Sequence, residues 1–214
     1  MKKLLIASIA FLTVATASAQ SEKYLAAMKP LVAALDSSFN YDALVASANS
    51  FQRIADAEKT QWLPYYYAAY CNVAAAFTLM EKPDASKTDP MADKAEELLN
   101  KAEALSKDNS EIYCVRKQIA SIRMMADPMS RYMTYGTAAT QALARAKTLD
   151  PENPRVYLLE AQDQFYTPEQ YGGSKTEAKR LFELSKAKYD AARPASDIHP
   201  RWGKNQITYF MSQF

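Results

Sequence analysis

A chain of 214 residues with four Gly, many Ala and a 49% hydrophobic composition is long enough for one continuous core and leans toward helix throughout. Its single His and two Cys exclude a multi-histidine metal centre and a disulfide framework. The formal charge of +2 comes from Lys2 and Lys3; without them 24 basic residues balance 24 acidic ones, which removes the electrostatic case for nucleic acid or an anionic membrane surface.

Those two lysines open a segment of secretory-signal character. Leu4 to Ala15 is uncharged, and Ala17-Ser18-Ala19 offers a small-residue cleavage site before Gln20. The stretch is too short to span a bilayer, and Gln20 stands where a lipoprotein would need Cys. The expectation is a soluble periplasmic or secreted protein, with a signal peptide over 1–19, one helical-repeat domain over 20–194 and a capping tail over 195–214.

Hydrophobic periodicity then predicts an all-α fold of eight helices in four pairs: 22–36 with 41–58, 62–81 with 90–106, 110–126 with 129–148, and 154–166 with 175–192. Gln61 to Met80 holds no charged residue, yet its Pro64, Asn72, Thr78 and four Tyr read as a central helix covered by neighbours rather than a membrane span. Asp89-Pro90 and Asp127-Pro128 each place an N-cap acid before a Pro at the first helical position. Asp150-Pro151 and Arg193-Pro194 end the helices before them. Ser174-Lys175-Thr176-Glu177 is a capping box, and Gly172-Gly173 supplies the positive φ for the turn ahead of it.

Ala95, Leu99, Ala102 and Leu105 recur 44 residues later as Ala139, Leu143, Ala146 and Leu149, and Asn109 and Tyr113 recur as Asn153 and Tyr157. Weaker copies, Ser47-Phe51-Ile54 and Ala178-Phe182-Ser185, stand 48 residues before and 39 after. Small and large apolar residues at these intervals mark one helix face, where the small residue admits a neighbouring helix closely. With Pro151 after the second copy and Tyr157 and Ala161 in the next helix, the pattern resembles the tetratricopeptide repeat family over about residues 40–192. Tyr171-Gly172-Gly173-Ser174 is similar to repeats of periplasmic transporter-associated proteins. Spacings above the family's value of about 34 imply longer helices or longer loops within each pair. Arg116, Lys117 and Glu160 stand at first-helix positions that the family keeps apolar or small.

The resemblance implies a solenoid of helical hairpins that works by non-covalent binding. Register on the face of the first helices gives Tyr67, Tyr70, Gln118, Arg155, Gln162 and Tyr166 as candidate partner-binding residues. That mixture of aromatic and polar groups fits a protein or peptide partner in the cell envelope. Trp62, Tyr65, Tyr66, Tyr67 and Tyr70 form the densest aromatic cluster, and consecutive aromatics on a helix point in different directions. A small-molecule or transport-associated binding protein is the competing expectation, with a pocket lined by Tyr65 to Tyr70 and Met124 to Met133. A third is assembly through the tail from Asp197 to Phe214, whose simpler role is to cap the last pair.

Other features carry bland readings. Met125, Met129 and Met133 are spaced by four but interrupted by Pro128, and read as gap-fillers rather than a copper site. Cys71 and Cys114 read as buried thiols, since equivalent positions on stacked helices are too far apart for a bridge. Glu96 and Glu97, set among lysines, read as solvated surface. Nothing surrounds His199 to make a catalytic triad, and there is neither a phosphate loop nor a paired-cysteine motif. No catalytic residue, cofactor or metal is assigned, and the chain is expected not to be an enzyme.

Overall fold

The computed structural model describes residues 22–35, 40–80 and 84–214, so the expected leader over 1–19 lies outside the described residues. All regular structure among them is helical. In chain order the helices are α1 (22–35), α2 (Tyr41–Glu58), α3 (Trp62–Phe77), α4 (Ala85–Leu105), α5 (Ser110–Ala126), α6 (Pro128–Arg131), α7 (Thr137–Leu149), α8 (Pro154–Tyr166), α9 (Lys175–Ala191) and α10 (Lys204–Met211). A π-helical turn, Tyr132–Gly136, carries α6 into α7 without a break. Hairpins form as α3 packs on α4, α5 on α7 and α8 on α9, and the first helices α3, α5 and α8 also touch in succession.

The repeat has a concrete origin in capping. Asn109 and Asn153 each begin a first helix by accepting the N–H two residues on, at 2.9 Å from Glu111 and 3.0 Å from Arg155. The Ser110 hydroxyl donates to the Ala146 carbonyl at 2.9 Å and accepts from Asn153 at 3.0 Å, joining α5, α7 and α8. In the weaker copy, the Ser185 hydroxyl donates to the Pro154 carbonyl at 2.8 Å. The wide spacing comes from long second helices: α4 has 21 residues, and 128–149 is helical from end to end.

Two local readings need correction. Asp89-Pro90 does not start a helix; α4 begins at Ala85, where Asp84 accepts from the Ser86 N–H at 3.0 Å, and Pro90 lies inside it. Asp84 satisfies the end first, which frees Asp89 for a long-range ion pair described below. Asp127-Pro128 does start α6. Of the Gly172-Gly173 pair, Gly172 alone takes a positive φ, at 93°; Gly173 is required because a Cβ there would collide with the Thr167 carbonyl. Cys71 and Cys114 are buried free thiols.

The tyrosines of the aromatic cluster on α3 are enclosed, and Trp62 at its start is partly buried. Tyr65, Tyr66, Tyr67 and Tyr70 point in different directions and are nonetheless all buried. Helices α2, α4 and α5 surround α3, and residues from the C-terminal segment cover what remains. No described helix is long and apolar enough to cross a membrane.

The C-terminal segment caps the last pair and also crosses to the first half of the molecule. Phe210 of α10 stacks on Phe182 of α9 with ring centroids 4.7 Å apart, and Trp202 stacks on Tyr70 of α3, also at 4.7 Å. Three alternate carbonyls are held on the way: Ile198 by the Tyr67 hydroxyl at 2.9 Å, Pro200 by Arg155 Nη2, and Trp202 by the Tyr189 hydroxyl at 2.6 Å. The Trp202 indole N–H donates to Tyr66 Oη at 2.7 Å, and Tyr66 donates to Glu111 at 3.1 Å. Truncating Trp202→Ala removes a buried ring and is expected to cost about 3–5 kcal/mol. Urea unfolding followed by circular dichroism checks this, as a lower midpoint at unchanged slope.

Candidate functional site

The face predicted to bind a partner exists, but the chain itself covers it. Tyr67, Tyr70, Gln118 and Arg155 are buried, and Gln162 donates to Gln206 of α10 at 2.9 Å. Tyr67, Tyr70 and Arg155 touch residues 198–202, so they are not the open surface expected from register. Tyr166 alone stays exposed, beside Phe165 and Phe210. The Arg155 guanidinium donates to Glu111 at 3.0 Å. Burial pushes the Glu111 carboxyl upward, against the opposing pull of Arg155 and Tyr66.

The open site lies on the opposite face of α5. A cleft of about 600 Å³ runs between α4 and the α6–α7 stretch. Ile119, Ala120 and Ala142 are buried and form its base. Tyr113 and Arg116 of α5 and Arg145 of α7 line one end; Arg123 of α5 and Tyr135 of the π turn line the other. Arg116 and Arg145 stand 5.9 and 6.0 Å from the Tyr113 ring centre, and Arg123 stands 5.8 Å from that of Tyr135.

Ion pairs tie the two rims together. Arg131 of α6 grips Asp89 of α4 through both terminal nitrogens, at 2.8 and 2.9 Å. Arg145 bonds Asp108, just beyond α4, at 2.6 Å. Between them Arg123 bonds Asp93 at 2.8 Å and Glu96 at 2.7 Å, and Arg116 bonds Glu103 at 2.7 Å. Glu97 is surface, paired with Lys94 and Lys101, but Glu96 reaches α5 and lines the cleft, a correction to its solvated reading. At 1.5 Å per residue the helix carries the rim about 20 Å from Arg131 to Arg145.

The π turn is the feature that sequence periodicity could not show. Met129 and Met133 are 96% and 79% exposed, so they do not fill gaps as expected. The lone His199 does not line the cleft; its ring meets Trp62, and Nδ1 lies 2.9 Å from the Ser196 hydroxyl. Among the described residues no three His, Cys, Asp or Glu side chains are grouped to hold a metal ion. An apolar base, two phenol rings and guanidinium groups can hold a flat molecule bearing carboxylates.

Among solved structures, the chain is similar to the HusA haemophore from Porphyromonas gingivalis, with a TM-score of 0.77 and 38% sequence identity over 89% of this chain and 92% of that one. No protein-family model and no curated protein matches the chain.

The Asp89–Arg131 pair gives the cleft a pH dependence. Hydrogen bonds from Arg131 hold the Asp89 carboxyl below its ordinary range, so the folded chain takes up this proton less readily than the unfolded one. The stabilisation is therefore present above pH ~4 and is lost as the pH falls below it. Amide hydrogen exchange over 128–136 is expected to accelerate on acidification, and less so in Asp89→Asn, which has already lost the charge.

Proposed function

The chain belongs to the family of the HusA haemophore, and we propose that it is a non-catalytic carrier that binds haem in the cleft between α4 and α6–α7. One observation carries this reading: an apolar base, two tyrosine rings and two accessible arginines meet in a single open slot. Haem is a flat apolar macrocycle with two carboxylates on one edge. Ile119, Ala120 and Ala142 offer a surface for the ring face, and Tyr113 and Tyr135 offer aromatic contacts. Arg116 and Arg145, which converge on Tyr113, are placed for the carboxylates. Each uses Nη2 for its acidic partner, and a guanidinium carries five N–H donors, so each can serve a ligand oxygen as well.

The cleft volume of about 600 Å³ is of the size that small-molecule sites commonly have. With the single histidine elsewhere, apolar burial and charge hold the ligand, not a histidine bond to iron. This reading prefers the small-molecule alternative to a protein or peptide scaffold, because the chain's own C-terminal segment fills the face expected for a peptide. We read the carrier as exported, from the leader-like segment over 1–19. The hairpin stack we read as a divergent tetratricopeptide-like solenoid, from its 44-residue repeat.

Titration of the full chain with haemin, followed by absorbance, is expected to show one saturable site. Charge-assisted hydrogen bonds contribute about 1.5–3 kcal/mol each, so replacing Arg116→Ala and Arg145→Ala together should weaken binding at least ~10-fold. Tyr166→Ala, outside the cleft, should bind as the parent does. Haemin uptake that fails to saturate, or that ignores the double replacement, would remove the cleft as the site.

A further inference from the structure

Three of the most exposed large apolar side chains occupy five consecutive residues at the start of the third hairpin's second helix. Met129 is 96% exposed, Tyr132 63% and Met133 79%. They sit where α6 passes into the π turn. No described residue covers them, although the helices on either side bury apolar faces in the ordinary way.

Their position joins them to the cleft. The Tyr132 ring and the Met124 sulfur lie against the α-carbon of Gly136, where an added Cβ would stand 3.1 Å from the ring and 3.3 Å from the sulfur. Gly136 follows Tyr135, and Met124 follows Arg123, both of which line the cleft. The exposed apolar surface thus packs, through Tyr132, beside the residue that follows Tyr135 in the chain. The cleft is also one-sided: its base is buried, whereas Ala138, Gln141 and Arg145 on the α7 rim are exposed.

Resting on the reading of the cleft as a haem site, we propose that Met129, Tyr132 and Met133 form its second wall, folding over the outward face of the bound macrocycle. A flat ligand has two apolar faces, and the base of the cleft can cover one. Sites for ligands of this kind bury about 70–90% of the ligand surface, which an open slot cannot do alone. Methionine suits the task, since its unbranched thioether adapts to an aromatic face at little cost. The Asp89–Arg131 pair anchors the backbone of this segment to α4, so side-chain rotation is enough to bring the three residues over. The π turn sets the direction of Tyr132 and Met133: its wide turn holds one residue more than an α-helical turn would, and such bulges recur at functional sites.

The test uses the full chain carrying methyl-labelled methionine, with haemin as the probe. Added haemin is expected to shift or broaden the Met129 and Met133 methyl signals in NMR spectra through the ring current and the paramagnetic iron. The signal of Met28, buried in the core, should stay where it is. A triple variant, Met129→Ser, Tyr132→Ser and Met133→Ser, should release haemin to apomyoglobin at least ~10-fold faster, from the apolar burial it forgoes. Met129→Leu with Met133→Leu should restore slow release. Unmoved Met129 and Met133 signals at saturating haemin, with unchanged release from the triple variant, would overturn the second wall and leave the cleft reading standing. A parent protein that takes up no haemin would remove both.

Discussion

The guanidinium of Arg155 is buried, and what neutralises it arrives from distant parts of the chain. Glu111 comes from α5, the Pro200 carbonyl from the C-terminal segment, and the ring faces of Tyr189 and Trp202 stand 5.5 and 5.3 Å away. Its Nε has no hydrogen-bond partner among the described residues. Apolar burial drives the stacking of the hairpins, but it does not choose which segment fills the groove along α3, α5 and α8. The charge does choose, because a buried ion left without its partner costs about 3–5 kcal/mol. Any packing that withdraws residues 198–202 takes the Pro200 carbonyl from Arg155, uncovers its pair with Glu111 and breaks the Trp202–Tyr66 hydrogen bond together.

That constraint divides the molecule into two faces with different chemistry. Where Arg155 lies, the first-helix face is dry, aromatic and covered by the chain itself, so it serves the fold. Across α5, every arginine of the cleft meets an acid on the neighbouring helix or loop while keeping some contact with water. Lys117 and Asp163 make a similar link between α5 and α8 at 2.6 Å, and Lys147 and Glu160 join α7 to α8 at 2.9 Å. Charged pairs between helices thus set the register of the stack where Ala and Leu alone would allow it to slide.

Much of this order was legible in the sequence because it depends on local chemistry. Asn109 and Asn153 show why the repeat could be read: each caps a helix, and capping needs particular side chains at fixed positions. Asp89 shows where such reading fails, since Asp-Pro looks like a cap unless Asp84 is known to have closed the end already. The destination of the C-terminal segment was not legible, because Tyr66 and Trp202 are 136 residues apart and nothing local links them. Nor was the cleft, whose arginines come from two helices and whose Tyr135 is aimed by a π turn that breaks the usual helical period. One signal did stand in the sequence: Arg116, Lys117 and Glu160 occupy positions that the repeat keeps apolar or small, and each makes a pair between helices.

Placing charge on the open side also bears on how the proposed carrier would let go. The pair between Arg145 and Asp108 is solvent-exposed, and such pairs contribute about 0–1 kcal/mol. A ligand carboxylate that engaged Arg145 would therefore displace little, and Asp108 and water would recover the site as easily when it left. The Arg155–Glu111 pair could not serve in this way, since opening it exposes a dry groove and unseats the C-terminal segment. The fold keeps its costly charge pair where nothing has to move and its cheap ones on the open side, where the proposed ligand would come and go.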